Sequence, residues 1–161
     1  MKQITDKMVF FEFEGDFIEA NIRCIPMIVR FKLDACGIKL KLAEWSKMTP
    51  EQRAHLAYSP CDAPEEVARY RAQLSSLIRV QTGGTPTLIP VPDDPAWSRQ
   101  DEIPYTIMEK SKEFACSISL LQWQKLTDLQ RFALVKLSYS GHENENFPRA
   151  LREFGLFHIT V

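Results

Sequence analysis

The chain says one thing twice. Residues 25–56 read IPMIVRFKLDACGIKLKLAEWSKMTPEQRAHL, and residues 103–134, 78 positions on, read IPYTIMEKSKEFACSISLLQWQKLTDLQRFAL. Without a gap, ten of these 32 positions are identical, among them Ile25/Ile103, Pro26/Pro104, Trp45/Trp123, Thr49/Thr127, Gln52/Gln130, Arg53/Arg131 and Leu56/Leu134. Chance would supply roughly two. A self-match at fixed period obliges both copies to adopt one local structure and bury one face. Two copies are too few for a solenoid. The expectation is an all-α fold, a tandem duplication of a multi-helix unit about a pseudo-twofold axis, with copies at about 20–78 and 103–155.

Each copy carries helix punctuation. Ile28, Val29, Leu33 and Cys36 follow Ile25-Pro26 at helical spacing, so they predict one buried face, with Arg30, Lys32 and Asp34 off it and Gly37 as the stop. Thr49-Pro50-Glu51-Gln52 and Thr127-Asp128-Leu129-Gln130 both read as capping boxes. Asp62 is positioned to cap a further helix carrying Val67, Tyr70, Leu74, Leu77 and Ile78. Its counterpart starts near Asn146 and shows Phe147, Ala150, Leu151 and Phe154 before Gly155.

Three segments lie outside this pattern. Val9–Glu14 nearly alternates and reads as a short strand, within a cluster of Phe10, Phe11, Phe13 and Phe17 that is expected to plug the core. The C-terminal Leu156–Val161 is strand-like too, so the two ends are candidates for a two-stranded pairing. Between the copies, residues 79–102 form a linker holding Pro86, Pro90, Pro92 and Pro95. Its Leu88, Ile89, Val91 and Trp97 suit a strap across the core; a partner-binding arm is the alternative.

The chemistry-bearing residues are scattered. Cys24, Cys36, Cys61 and Cys116 make no CxxC pair, and His55, His142 and His158 no HxxxH, so neither a metal site nor a catalytic constellation is expected. Gly83-Gly84 lacks the lysine-serine/threonine of a phosphate loop. His142 beside Glu143 reads as a solvated loop rather than an acid–base pair. A net charge of −1 argues against nucleic acid and anionic membrane. The N-terminus does not read as a signal peptide, and no apolar run is long enough to span a bilayer; the expected location is the cytoplasm. Matched positions such as Trp45 and Trp123 read as packing, whereas unmatched ones are free to specialise.

The Phe/acid run Phe11–Phe17, then Arg23-Cys24-Ile25-Pro26, Lys32–Leu40 (KLDACGIKL) and Phe147–Leu151 (FPRAL) resemble the nitrate reductase-associated protein family. That resemblance implies a non-catalytic accessory role: a maturation or assembly factor for molybdenum-cofactor-dependent assimilatory nitrate reductase. The implied partners are the apo-enzyme or its cofactor-assembly proteins. No cofactor is expected to bind stably, although transient contact with a molybdopterin-type cofactor fits. No catalytic residue comes with the family. The candidate contact surface is Arg23, Arg30, Lys32, Asp34 and Cys36, since arginine pairs bidentately with phosphate or carboxylate. The alternatives are a ligand or cofactor sensor with a pocket at the repeat interface near Trp45 and Trp123, and, third, an enzyme.

Overall fold

A computed structural model describes residues 10–15, 24–139 and 145–156. These are mostly helical and fall into two compact units, residues 1–91 and 92–161.

In the first unit, α1 (Met27–Cys36) leads through β1 (Ile38–Lys39) into α2 (Leu42–Ser46), α3 (Pro50–Tyr58), the long α4 (Pro64–Thr82) and β2 (Thr87–Leu88). Val29, Leu33 and Cys36 of α1 meet Tyr70, Leu74 and Ile78 of α4, spaced four apart, so each helix buries one stripe. Trp45, Met48 and Leu56 fill the remaining core. Thr49 caps α3 in a reciprocal box, Gln52 N to Thr49 Oγ1 at 3.2 Å and Thr49 N to Gln52 Oε1 at 2.9 Å. Asp62 is not the cap of α4. Ala63 holds that position, and the Glu66 carboxylate accepts its N–H at 2.8 Å and that of Asp62 at 3.3 Å. A glutamate one turn into a helix can do this work by reaching back.

The linker begins later than its composition suggests, because α4 continues to Thr82 before Gly83 ends it. Its first part does strap the unit, through backbone rather than apolar burial. β2 pairs antiparallel with β1, Ile38 opposite Leu88 and Lys39 opposite Thr87, and Ile89 N–H donates to Gly37 O at 2.9 Å. Leu88 and Val91 stay exposed. Gly37 is required here: its φ is +74°, and a Cβ would stand 3.0 Å from Ile89 O and from Val91 Cγ2.

This is the two-stranded sheet of the described residues, and it is not the pairing of chain ends expected from the sequence. Residues 12–14 of the proposed N-terminal strand form a 3-10 turn, Glu12–Glu14. Glu14 explains why: its carboxylate accepts the N–H of Phe11 at 3.2 Å and of Met27 at 2.6 Å, folding the segment back onto the start of α1. Phe10 stands edge-on to Tyr58, with ring centroids 5.8 Å apart, and Phe11 is buried, so these two rings do plug the first unit. Phe17 and residues 157–161 lie outside the described residues.

The second unit follows the same order: α5 (Tyr105–Glu113), α6 (Leu120–Lys125), α7 (Asp128–Ser138) and α8 (Asn146–Glu153). A 3-10 turn, Ala96–Ser98, precedes them and lies on α7. The Thr127–Gln130 box recurs at 3.1 and 2.9 Å, and Ser119–Gln122, not anticipated from the sequence, caps α6 in the same way. Ile107, Trp123, Phe132, Leu134, Phe147 and Leu151 are buried. Where α1 ends on Gly37, α5 ends near Ala115, 78 positions on, which takes φ +54° despite its Cβ.

Candidate functional site

Each unit is built around a tryptophan and an arginine eight residues apart. Trp45 and Trp123 are both 0 % exposed. The Arg53 guanidinium stands over the Trp45 ring at 5.7 Å, and that of Arg131 over Trp123 at 5.9 Å. A buried guanidinium is tolerable only when its N–H groups are satisfied. Arg53 donates from Nε to Trp45 O at 3.3 Å and from Nη2 to Ser46 O at 3.1 Å. Arg131 donates to Trp123 O at 3.4 Å, to Leu126 O and to the Asp128 carboxylate. In both units, then, the cation covers the carbonyl end of a short helix, where positive charge is favoured.

Around this shared motif the units differ. Arg131 Nε reaches Trp97 O at 2.8 Å, Trp123 Nε1 donates to Arg99 O at 2.8 Å, and Gln124 Nε2 to Gln100 O at 3.1 Å, so the second half of the linker is stitched to α6 and α7. Trp45 Nε1, equally buried, has no acceptor among the described residues.

A second polar cluster lies under α1. Lys32, off the apolar stripe of α1 in the sequence, is nevertheless buried, and Nζ donates to Ala57 O and Ser59 O, both at 2.6 Å, closing the C-terminal end of α3. Its flexible stem allows an ammonium to cross the helix pair and meet carbonyls that α3 leaves unpaired. Desolvation lowers its pKa. Cys61 Sγ faces Lys32 O at 3.8 Å and Cys36 Sγ faces Leu33 O at 3.6 Å, so both thiols share one turn of α1. Burial pushes the Cys36 thiol up, and burial with neighbouring Cys36 pushes Cys61 to about 11. Tyr70, raised by burial, donates its hydroxyl to Leu56 O at 2.8 Å. Thiols held protonated are poor nucleophiles and poor metal ligands near neutral pH. This cluster ties helix ends together.

The structure therefore separates the five candidate contact residues. Lys32 and Cys36 are interior, Arg30 and Asp34 are half-buried, and Arg23 lies outside the described residues. Arg30 Nε is turned inward to Ile25 O at 2.8 Å. His55 meets Gln73 at the surface at 3.2 Å; His142, Glu143 and His158 lie outside the described residues. Among the described residues no three His, Cys, Asp or Glu side chains converge as a metal site. A shallow hollow of about 240 Å³ is lined by Asp94, Ala96, Arg99, Glu102 and Pro104, but Arg99 is already neutralised there by Asp94 at 2.6 Å and Glu102 at 3.6 Å. Sequence reading missed Lys32 as a buried tie and the arginine-on-tryptophan pairs. The second had a visible signal, since Trp45/Arg53 and Trp123/Arg131 are identical pairs at one spacing.

The model of the conserved nitrate reductase-associated protein family matches residues 10–154. The chain belongs to that family. The match takes in both units, both tryptophan–arginine pairs and the Glu14 turn. No curated protein and no solved structure matches it. Among the described residues of this family member, no helix is long and apolar enough to cross a membrane.

Proposed function

We propose that this member of the nitrate reductase-associated family is an accessory protein that binds immature nitrate reductase and assists its maturation or assembly. The observation that carries the reading is the family match over residues 10–154. The interior chemistry agrees with it: buried lysine and arginine donate to backbone carbonyls, and the buried thiols are held protonated, so these groups serve to hold helices. The two units are read as products of tandem duplication, since α5, α6 and α7 begin 78 positions after α1, α2 and α3. Arg23 and Arg30 remain the proposed contact for a carboxylate of the reductase or the phosphate of a molybdopterin-type cofactor in transit, together with Asp34; Lys32 and Cys36, also candidates, lie in the interior of α1. The test is a tagged pull-down from nitrate-grown host cells. Cofactor-free reductase should co-purify, and reversing Arg23 and Arg30 to glutamate should reduce its activation. Reductase abundant in the lysate but absent from the eluate would overturn the reading. A cofactor sensor is the second reading, favoured by Trp45 Nε1, which has no acceptor among the described residues. Under it, tryptophan fluorescence should respond to molybdopterin, and Trp45→Phe should remove the response.

A further inference from the structure

The two units treat one helix face differently. In the first unit the N-terminal turn sits on the start of α1 and on a ring at the end of α3. Met27 is 6 % exposed, the Glu14 carboxylate accepts its N–H at 2.6 Å, and Phe10 stands edge-on to Tyr58, the last residue of α3. In the second unit Tyr105 stands where Met27 does, 78 residues on, and Tyr139 directly follows the last residue of α7. They are 75 % and 68 % exposed. Ser138 Oγ to Thr106 Oγ1 at 3.1 Å brings the end of α7 against the first turn of α5, so the two rings flank one seam, and Met108, one turn along α5, extends it. Among the described residues no carboxylate takes the first N–H groups of α5 as Glu14 takes that of Met27 in α1.

The geometry points to this seam as a docking site for a partner polypeptide, and the first unit displays the ligand chemistry. The occupant is a short acidic-aromatic turn like Phe10–Gly15: rings to cover Tyr105 and Tyr139, and a carboxylate for the α5 N-terminus. Aromatic rings exposed beside an uncapped helix start supply large contact area with little rotamer entropy to lose, as in interface anchors. The inference deepens the accessory-protein reading and rests on it for the partner's being the reductase or one of its assembly proteins.

The probe is a labelled peptide of residues 10–15, FFEFEG, titrated into the full chain and followed by amide shifts and fluorescence anisotropy. Shifts should centre on Tyr105, Thr106, Met108 and Tyr139. The double variant Tyr105→Ser, Tyr139→Ser should weaken binding about tenfold or more, and a peptide with glutamine in place of its last glutamate should bind several-fold more weakly. Shifts centred instead on Met27 and Tyr58, or affinity unchanged in the double variant, would overturn the site. Self-association that rises with concentration and vanishes in the double variant would assign the face to a second copy of this chain and overturn the separate partner. A reductase pull-down with both proteins keeps the two readings apart: capture by both equally removes this face alone, and capture by neither removes the accessory role.

Discussion

At the scale of single residues, the interior shows polar groups used as fasteners. Lys32 satisfies two carbonyls at the end of α3, and Arg131 satisfies carbonyls of both α6 and the linker. Replacing Arg131 with lysine keeps the charge but not the planar fork. We expect a loss of about 3 kcal/mol, checked by urea unfolding, with faster hydrogen exchange at residues 96–100. The cysteines give a pH-dependent signature. Cys61 titrates at about 11 in the fold against 9.0 when unfolded, so across that window the unfolded chain releases its proton first. Stability therefore falls as pH rises from 9 to 11, by up to about 3 kcal/mol, and Cys61→Ala should flatten the decline. In native protein only exposed Cys24 should label quickly with a thiol reagent; Cys36, Cys61 and Cys116 are buried and should label on unfolding.

At the scale of elements, the stops of α1 and α5 make a matched pair with opposite expectations. Gly37 at φ +74° is hemmed in by Ile89 and Val91. Gly37→Ala should cost about 2 kcal/mol or more by adding left-handed strain to a steric clash, and should loosen the β1–β2 pairing in hydrogen exchange. Ala115 already bears that strain at φ +54°. Ala115→Gly should therefore raise stability, by about 0.5–1 kcal/mol after the entropy of an added glycine is subtracted. Thermal or urea denaturation of the two variants measures both signs. The caps were legible beforehand, because Thr-x-x-Gln satisfies N–H groups within four residues and needs no tertiary partner. The start of α4 lies one residue later than Asp62 suggests, because Glu66, not a side chain before the helix, supplies the acceptor.

At the scale of the whole molecule, net charge is close to zero and family membership points to a protein partner. Salt dependence distinguishes the two proposed contacts. Binding through Tyr105 and Tyr139 should persist from low to high salt, since apolar contact is not screened, whereas an Arg23/Arg30 contact with carboxylate or phosphate should weaken steadily as the Debye length shrinks. Reductase capture measured across a salt series reads this directly.

What the sequence by itself determined was local and periodic: helices, the two Thr-x-x-Gln caps, the Gly37 stop and the burial of Trp45 and Trp123. Those follow from spacing and from hydrogen bonds made within one turn. The tertiary structure decided the rest. It turned Lys32 inward because unpaired carbonyls of α3 lie across from it, and it made the N-terminal aromatic run a turn because Glu14 finds the N–H of Met27. It also divided the proline-rich linker between β1 in one unit and α6 and α7 in the other. Each of these depends on an acceptor or donor far away in the chain, and no local pattern records where that partner lies.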